Sequence, residues 1–371
     1  MKFALKDSEK LAPNHGLPPL NLGSKPYSYF EFWPAWFFYI PVLLYWLVMS
    51  LRHRSFGLPL IVNPHIPLGG MVGESKAAIL DMAGEHARTF MLPFLKFHYD
   101  GRISAESCLR LCEQAGLQLP LVVKPDLGCR GTGVRLISSE QQLQGYLKRF
   151  PLGREFLMQR LAPYSAEAGV FYVRDPEASC GRVVSITLKY QPLVVGDGEK
   201  SLRELIECDP RARKLKQIYF ERQQSQLDKV PAKGEHIALA FAGSHSRGSI
   251  FRNGNAYITE QLEAAIDSVM QDFPDFHYGR LDIKFANIED LTRGQHFALI
   301  EVNGVSSEAT HIWDSRATLG EAFATLFWQY RTLFSMGRAM RARGYKVPSI
   351  GVMLQTWFRE LRQAKDYPQS D

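Results

Sequence analysis

Residues 279–285 read Gly-Arg-Leu-Asp-Ile-Lys-Phe, and this alternation constrains the fold of the 371-residue chain more than any other stretch. Successive side chains of a strand point to opposite faces, so Arg280, Asp282 and Lys284 share one face and Leu281, Ile283 and Phe285 the other. Such a strand belongs in a sheet with one face in a core and the other lining something polar. The run HFALIEVNG at 296–304 predicts a neighbouring strand, with Glu301 and Asn303 on one face. Two carboxylates and an amide oxygen converging from adjacent strands suit Mg²⁺. A salt-bridged surface face is the plainer reading. The apolar neighbours on both strands argue against it, because buried carboxylates without a cation are costly.

A second constellation is VVKPDLGCRGTGV at 122–134. A strand delivers Lys124, a proline ends it, and a loop with Gly128, Gly131 and Gly133 follows. Glycines let backbone N–H groups close around phosphate oxygens while a lysine neutralises their charge. The loop is not a Walker A motif, since no Gly-Lys-Ser/Thr follows, nor a dinucleotide fingerprint, which opens directly into a helix.

Around these motifs the pattern predicts a short strand, a glycine-rich loop and a helix from about Lys76 within 58–83. Further helices are expected at 104–116, 140–150, 201–207 and 257–272. Strands are expected at 119–123, 155–161, 169–174 and 182–195, the last as one strand or a pair. Helices and antiparallel hairpins intermixed in this way argue for an α+β fold. With 46% hydrophobic and 22% charged residues the chain is globular. A net charge of +6 is too mild to mark a nucleic-acid binder. Five cysteines without a repeated CxxC exclude a zinc ribbon and make a disulfide framework unexpected. Cys108 and Cys112, four apart on a helical pattern, read as small buried residues.

Phe32–Leu51 is an uncharged, aromatic run just long enough to cross a bilayer, which takes ~20 residues. Pro34 and Pro41 interrupt it, and Arg52-His53-Arg54 follow. A buried core helix would be unusual with so many large aromatics and no polar face. The segment is expected to associate with a membrane, either as a single span or as a kinked helix in the interface. The aromatic, basic stretches 322–343 and 350–362 read as core-facing helices or as a second surface touching headgroups.

Taken together, Lys124 in Val-Val-Lys-Pro, its glycine loop, Gly-Arg-Leu-Asp and Ile-Glu-Val-Asn-Gly resemble the ATP-grasp carboxylate–amine ligases over roughly residues 70–320. The motif order is nearest to D-alanine–D-alanine ligase, and VVGDGEKSLRELIE also resembles the ATP-grasp portion of cyanophycin synthetase-like enzymes. The resemblance implies an ATP-grasp fold, two α+β subdomains clamping ATP. On this reading residues 1–57 hold the tail and membrane segment and 58–120 a reduced pre-ATP-grasp region. The lid subdomain spans 121–200, the catalytic subdomain with the metal site 201–320, and the C-terminal helices 321–371. The resemblance further implies that Lys124 and Lys76 contact the ATP phosphates and that Gly128, Arg130, Gly131 and Gly133 form the phosphate cover. Gln159, Arg160 and Leu161 would hold adenine, and Glu167 the ribose. Asp282, Glu301 and Asn303 would hold two Mg²⁺, for which Mn²⁺ could substitute. Arg280 and Lys284 would be catalytic, Arg280 facing the acyl-phosphate.

Two departures matter. After the metal asparagine, the D-alanine ligases carry a Thr-Ser-Pro-Gly-like loop. Here the run Gly304-Val305-Ser306-Ser307-Glu308-Ala309-Thr310-His311 does not support D-alanine as substrate. The amino-terminal substrate domain is replaced by the apolar segment. The expected reaction is ATP-dependent amide formation on a membrane-associated or lipid-linked substrate, with Ser306, Ser307, Glu308, His311 and Arg247 as candidate substrate contacts. The protein would sit at the cytoplasmic (inner) membrane, its catalytic body facing the cytoplasm. A thiol or hydroxyl acceptor, or a nucleotide-binding scaffold without turnover, is the alternative. His245 and Arg247 read as a solvated polar loop, and Lys189 as less important than Lys124.

Overall fold

The computed structural model describes residues 13–20, 25–128, 131–241, 243, 245, 248–368 and 370. Two antiparallel sheets face each other across a cleft. The first is built from β1 (Phe94–Tyr99), β2 (Leu121–Pro125), β3 (Arg135–Ile137) and β4 (Arg154–Arg160), in the order β1-β4-β2-β3. Its outer face is covered by α5 (Ala105–Gln114) and α6 (Glu140–Leu147), whose first turns are capped by Ser104 and Ser139. Phe97, Tyr146 and Phe156 fill the core between them, together with Cys108 and Cys112. Burial pushes those thiols up to about 12 and about 11, so both stay protonated and behave as small apolar groups.

The second sheet contains β5 (Ala166–Val173), β6 (Arg182–Tyr190), β9 (Ile250–Asn253), β10 (Tyr278–Phe285) and β11 (Phe297–Asn303), in the order β11-β10-β5-β6-β9. Leu281, Ile283 and Phe285 point into a core shared with α3 (Lys76–Asp81), α4 (Glu85–Arg88) and α9 (Glu260–Gln271), as their alternation predicts. α10 (Ile288–Thr292) links β10 to β11, and Asn287 caps it. A small satellite packs α7 (Leu202–Cys208) and α8 (Lys216–Arg222) around Tyr219, beside a two-stranded antiparallel sheet of β7 (Leu193–Val195) and β8 (His236–Ala238).

Three expectations change. The strand expected early in 58–83 is instead a pair of 3₁₀ turns, Leu58–Ile61 and Pro67–Gly70. Pro59, Pro64 and Pro67 remove the donors a ladder needs. Buried Asn63 fixes this loop: its Oδ1 accepts from the His277 and Tyr278 N–H groups, and its Nδ2 donates to the Gly69 and Tyr278 carbonyls. The boundary at residue 200 does not follow the sheets, because β5 pairs along its whole length with β10 and thereby joins the second sheet.

The third change concerns the apolar run. It forms α1 (Ala35–Phe38) and α2 (Ile40–His53), separated at Tyr39. Pro34 precedes α1, and Pro41 occupies the first turn of α2, where no donor is missed. Fourteen residues of α2 span about 21 Å at 1.5 Å per residue, short of the ~30 Å hydrocarbon core. Among the described residues no helix is long and apolar enough to cross a membrane, so the single span is set aside. One side of the segment is core: Phe30, Phe38, Val42 and Met49 are buried against the long helix α11 (Leu319–Ala342) and its surroundings. The other side is bare, with Trp36 72% and Leu43 and Leu44 each 59% exposed. α11 is core-facing, while α12 (Ile350–Ala364) leaves Val352, Trp357, Phe358 and Leu361 exposed.

Candidate active site

The cleft between the sheets holds about 720 Å³. Lys124 enters it from β2, almost fully buried, and donates to Gln159 Oε1 at 2.9 Å and to the Ile300 carbonyl at 3.0 Å. Ile300 is the extra residue of a bulge in the β10–β11 ladder, where Asp282 faces Glu301 and Ile283 faces Leu299. The bulge thus supplies the oxygen that anchors the lysine. Burial pulls the Lys124 ammonium down to about 8 against the attraction of Glu301.

Lys76 opens α3, and its placement follows from Asp126. That carboxylate accepts from Ser75 Oγ at 2.7 Å and from the Ala77 N–H at 2.8 Å, tying the start of the helix to the end of β2. Lys76 then reaches the Gly128 carbonyl and lies 3.9 Å from Glu301. Gly128, Gly131 and Gly133 all have positive φ, and at Gly133 a Cβ would meet the Pro125 ring at 2.6 Å. Arg130 and Arg247 lie outside the described residues.

On the opposite wall Arg280, Asp282 and Lys284 share the cleft face of β10. Asp282 stands across from Glu301 and Arg280 across from Asn303. Asp282 accepts from Arg280 at 2.9 and 3.3 Å and from Lys189 at 2.9 Å. Burial raises its pKa, but Arg280 and Lys189 outweigh that and hold it below the ordinary 3.8. Glu167 accepts from Lys189 at 3.1 Å and from Lys284 at 3.0 Å, and these lysines likewise overcome its burial and keep it ionised. Gly243 passes so close to Glu167 that a Cβ there would meet its Oε1 at 2.1 Å. Among the described residues no three His, Cys, Asp or Glu side chains converge as a metal group. The donor set Asp282, Glu301 and Asn303 consists of hard oxygens on facing positions of two strands. It fits Mg²⁺, which would share Asp282 with Lys189 and Arg280.

Gln159, Arg160 and Leu161 all line the cleft, and Arg160 also donates to the Gly116 carbonyl at 2.8 Å. Ser306 and Ser307 border the cleft, and Glu308 accepts from the Tyr39 hydroxyl at 2.5 Å. His311 does not line it: its Nδ1 lies 2.7 Å from Ser185 Oγ.

Four features escaped the sequence reading. Lys189 is central rather than minor. Its signal was present in the alternation Ser185, Thr187, Lys189 on β6, the same logic that singled out β10. Glu74 donates its carboxylate to the cleft floor, accepting from the Gly304 N–H at 3.0 Å. Its burial raises its pKa to about 7. Glu31, the one charge in an aromatic run, is fully buried and paired with Arg211 at 2.5 Å and His245 at 2.9 Å. His245 is therefore not in a solvated loop; it also stacks on Trp313 at 5.1 Å.

No protein-family model matches the chain, and no curated protein does. Solved structures are similar only at a distance. A bifunctional glutathione synthetase from Pasteurella multocida is 16% identical, with a TM-score of 0.35 over 68% of this chain and 36% of that one. A D-Ala:D-Ser ligase from Enterococcus faecalis is 13% identical, with a TM-score of 0.39 over 72% and 64%. A D-alanine–D-alanine ligase from Bacillus anthracis is 12% identical, with a TM-score of 0.39 over 73% of each chain. The chain thus spans about a third of the first of these proteins and under two thirds of the second.

Proposed function

We propose that the chain is an ATP-dependent carboxylate–amine ligase of ATP-grasp type, working at an anionic membrane surface. One observation carries the reading: Lys76, Lys124 and a positive-φ glycine loop stand on one wall of a cleft whose other wall presents Arg280, Asp282, Lys284, Glu301 and Asn303. The first wall suits phosphate oxygens. On the second, Arg280 meets the charge that develops when a substrate carboxylate attacks the γ-phosphorus and ADP leaves. An amine then attacks the acyl carbon, phosphate departs, and an amide forms. Asp282, Glu301 and Asn303 would hold Mg²⁺, which supplies charge neutralisation on the transferring phosphoryl group. No nucleophilic side chain is needed, since the work is positioning and electrostatics.

The exposed stripe of α1 and α2 supports the membrane placement. Trp36, Ile40, Leu43, Leu47 and Leu51 recur at helical spacing, and the stripe ends beside Arg52. Burial and then the field of Arg338, Arg52 and Arg341 lower the His53 pKa, so these cations cluster there and complement anionic headgroups. Both α1 and α12 also contribute residues to the cleft, which favours a substrate drawn from the bilayer surface on the cytoplasmic, ATP-supplied side. The test is ADP release from Mg-ATP against a panel of carboxylates and amines, with and without anionic vesicles. Release that requires both substrates and rises with vesicles supports the reading. ATP bound without release under any combination would instead favour a nucleotide-binding body, for which the ion network around Asp282 is the supporting observation.

A further inference from the structure

The two ends of the cleft differ in chemistry. Lys76, Lys124, Lys189, Arg280 and Lys284 bring five cations to one end, partly offset by Glu167, Asp282 and Glu301. At the other, the N-terminal segment closes the cleft with Trp33, Phe38 and Tyr39, facing Trp313. These groups form one connected wall. Glu31 bonds His245, which stacks on Trp313. Trp313 packs on Phe38 at 4.8 Å, and the adjacent Tyr39 holds Glu308.

One carboxylate in this wall, Glu308, borders the cleft. Tyr39 donates to Glu308 Oε1, fixing the carboxylate at the rim of the aromatic chamber. Glu31 is closed off behind this wall, its Oε1 serving both Arg211 and His245. Aromatic faces add attraction for a cation, and they exclude a second anion from the neighbourhood of Glu308.

We infer that this chamber, built by residues 31–39 against Glu308 and Trp313, is the binding site of the amine substrate, and that it selects a primary ammonium carried on an aromatic or other apolar body. The inference rests on the ligase reading and names the acceptor class for it. The ammonium docks on Glu308 with its apolar body against Trp33, Tyr39 and Trp313. The opposite, cationic end keeps ATP and the carboxylate, so the two substrates cannot exchange places. Segment 31–39 thereby does the work of a substrate-binding domain rather than of a tether.

Calorimetry on the full-length protein tests this with three probes of matched shape: phenethylamine, 2-phenylethanol and 3-phenylpropionate. Phenethylamine is expected to bind at least tenfold more tightly than the alcohol, and the carboxylate more weakly than the alcohol when ATP fills the cationic end. Glu308→Gln should remove most of the amine preference, and Tyr39→Phe part of it, with melting curves confirming folded protein. Equal affinity for amine and alcohol in the wild type, no measurable binding of the amine, or an unchanged preference in a folded Glu308→Gln protein would each overturn the site. Mg-ATP titrated into the same wild-type sample reads the other end separately. Loss of ATP binding with the amine preference intact would refute the ligase reading and leave the chamber standing.

Discussion

Lys124 must keep a charge in a place that disfavours one. Its ammonium sits at about 8 because burial penalises the cation, and the attraction of Glu301 only partly compensates. Below about 8 the lysine is charged and ready for a phosphate; above it the charge is lost. Mg-ATP affinity should therefore fall between pH 7 and pH 9 in the wild type and stay flat in Lys124→Ala. At pH 7 that variant should bind about ten- to a hundredfold more weakly, since a charge-assisted hydrogen bond contributes roughly 1.5–3 kcal/mol. Calorimetry at the two pH values measures both effects, and equal affinities at pH 7 would remove Lys124 from the site. Lys189 has a different task, holding Glu167 and Asp282 together. Lys189→Met leaves two buried carboxylates short of a cation and should lower stability by about 3–5 kcal/mol in urea unfolding. Both carboxylates have depressed pKa values. Their contribution is therefore present in full above their ordinary 4.5 and 3.8 and drains away as pH falls below those values. The variant should show a shallower loss of stability over that acid range. Most of the charged residues of the cleft were legible because a two-residue period declares its face. Lys189 was ranked below Lys124 because its partner Asp282 arrives from a strand far away in sequence.

At the scale of elements, the strands β2, β4, β5, β6, β10 and β11 and helices α3, α5, α6, α7 and α9 all follow from pattern and caps. The short strands β3, β8 and β9 offer three or four residues each, too few for a period to show. The apolar segment misled for a physical reason: hydropathy counts apolar residues without saying what covers them. Half of them meet α11, and the other half face outward. That outward half gives a clean variant. Replacing Leu43 and Leu44 by Asp touches no core contact and removes two insertable leucines, each worth roughly 1.5–3 kcal/mol when buried. Co-sedimentation with anionic vesicles should drop at least a hundredfold while the melting temperature holds. Unchanged co-sedimentation would dissociate α2 from the membrane.

At the scale of the whole molecule, the described residues toward both ends of the chain pack against the body that holds the cleft. α12 bonds the Gly73 N–H through Glu360, and beyond it Tyr367 packs into the core of the first sheet beside the glycine loop. The N-terminal segment covers α11 and closes the cleft. Removing residues 1–55 would uncover the partners of Phe30, Phe38, Val42 and Met49, so the truncated protein should show a lower urea midpoint and not merely leave the membrane. These long-range arrangements were not legible, because nothing local in the chain says that residue 31 meets residue 211 or that β5 meets β10. The central claim is that the cleft activates a carboxylate with ATP, and hydroxylamine, a small general acceptor, tests it without knowledge of the native amine. In hydroxylamine, Mg-ATP and a carboxylate panel, the full-length protein should release ADP and form hydroxamate in equal amounts with at least one acid. Glu301→Gln, whose side chain is partly exposed and makes only a long contact with Lys76, should lose at least a hundredfold while remaining folded. Carboxylate-independent ADP release, or a full rate in Glu301→Gln, would contradict the account.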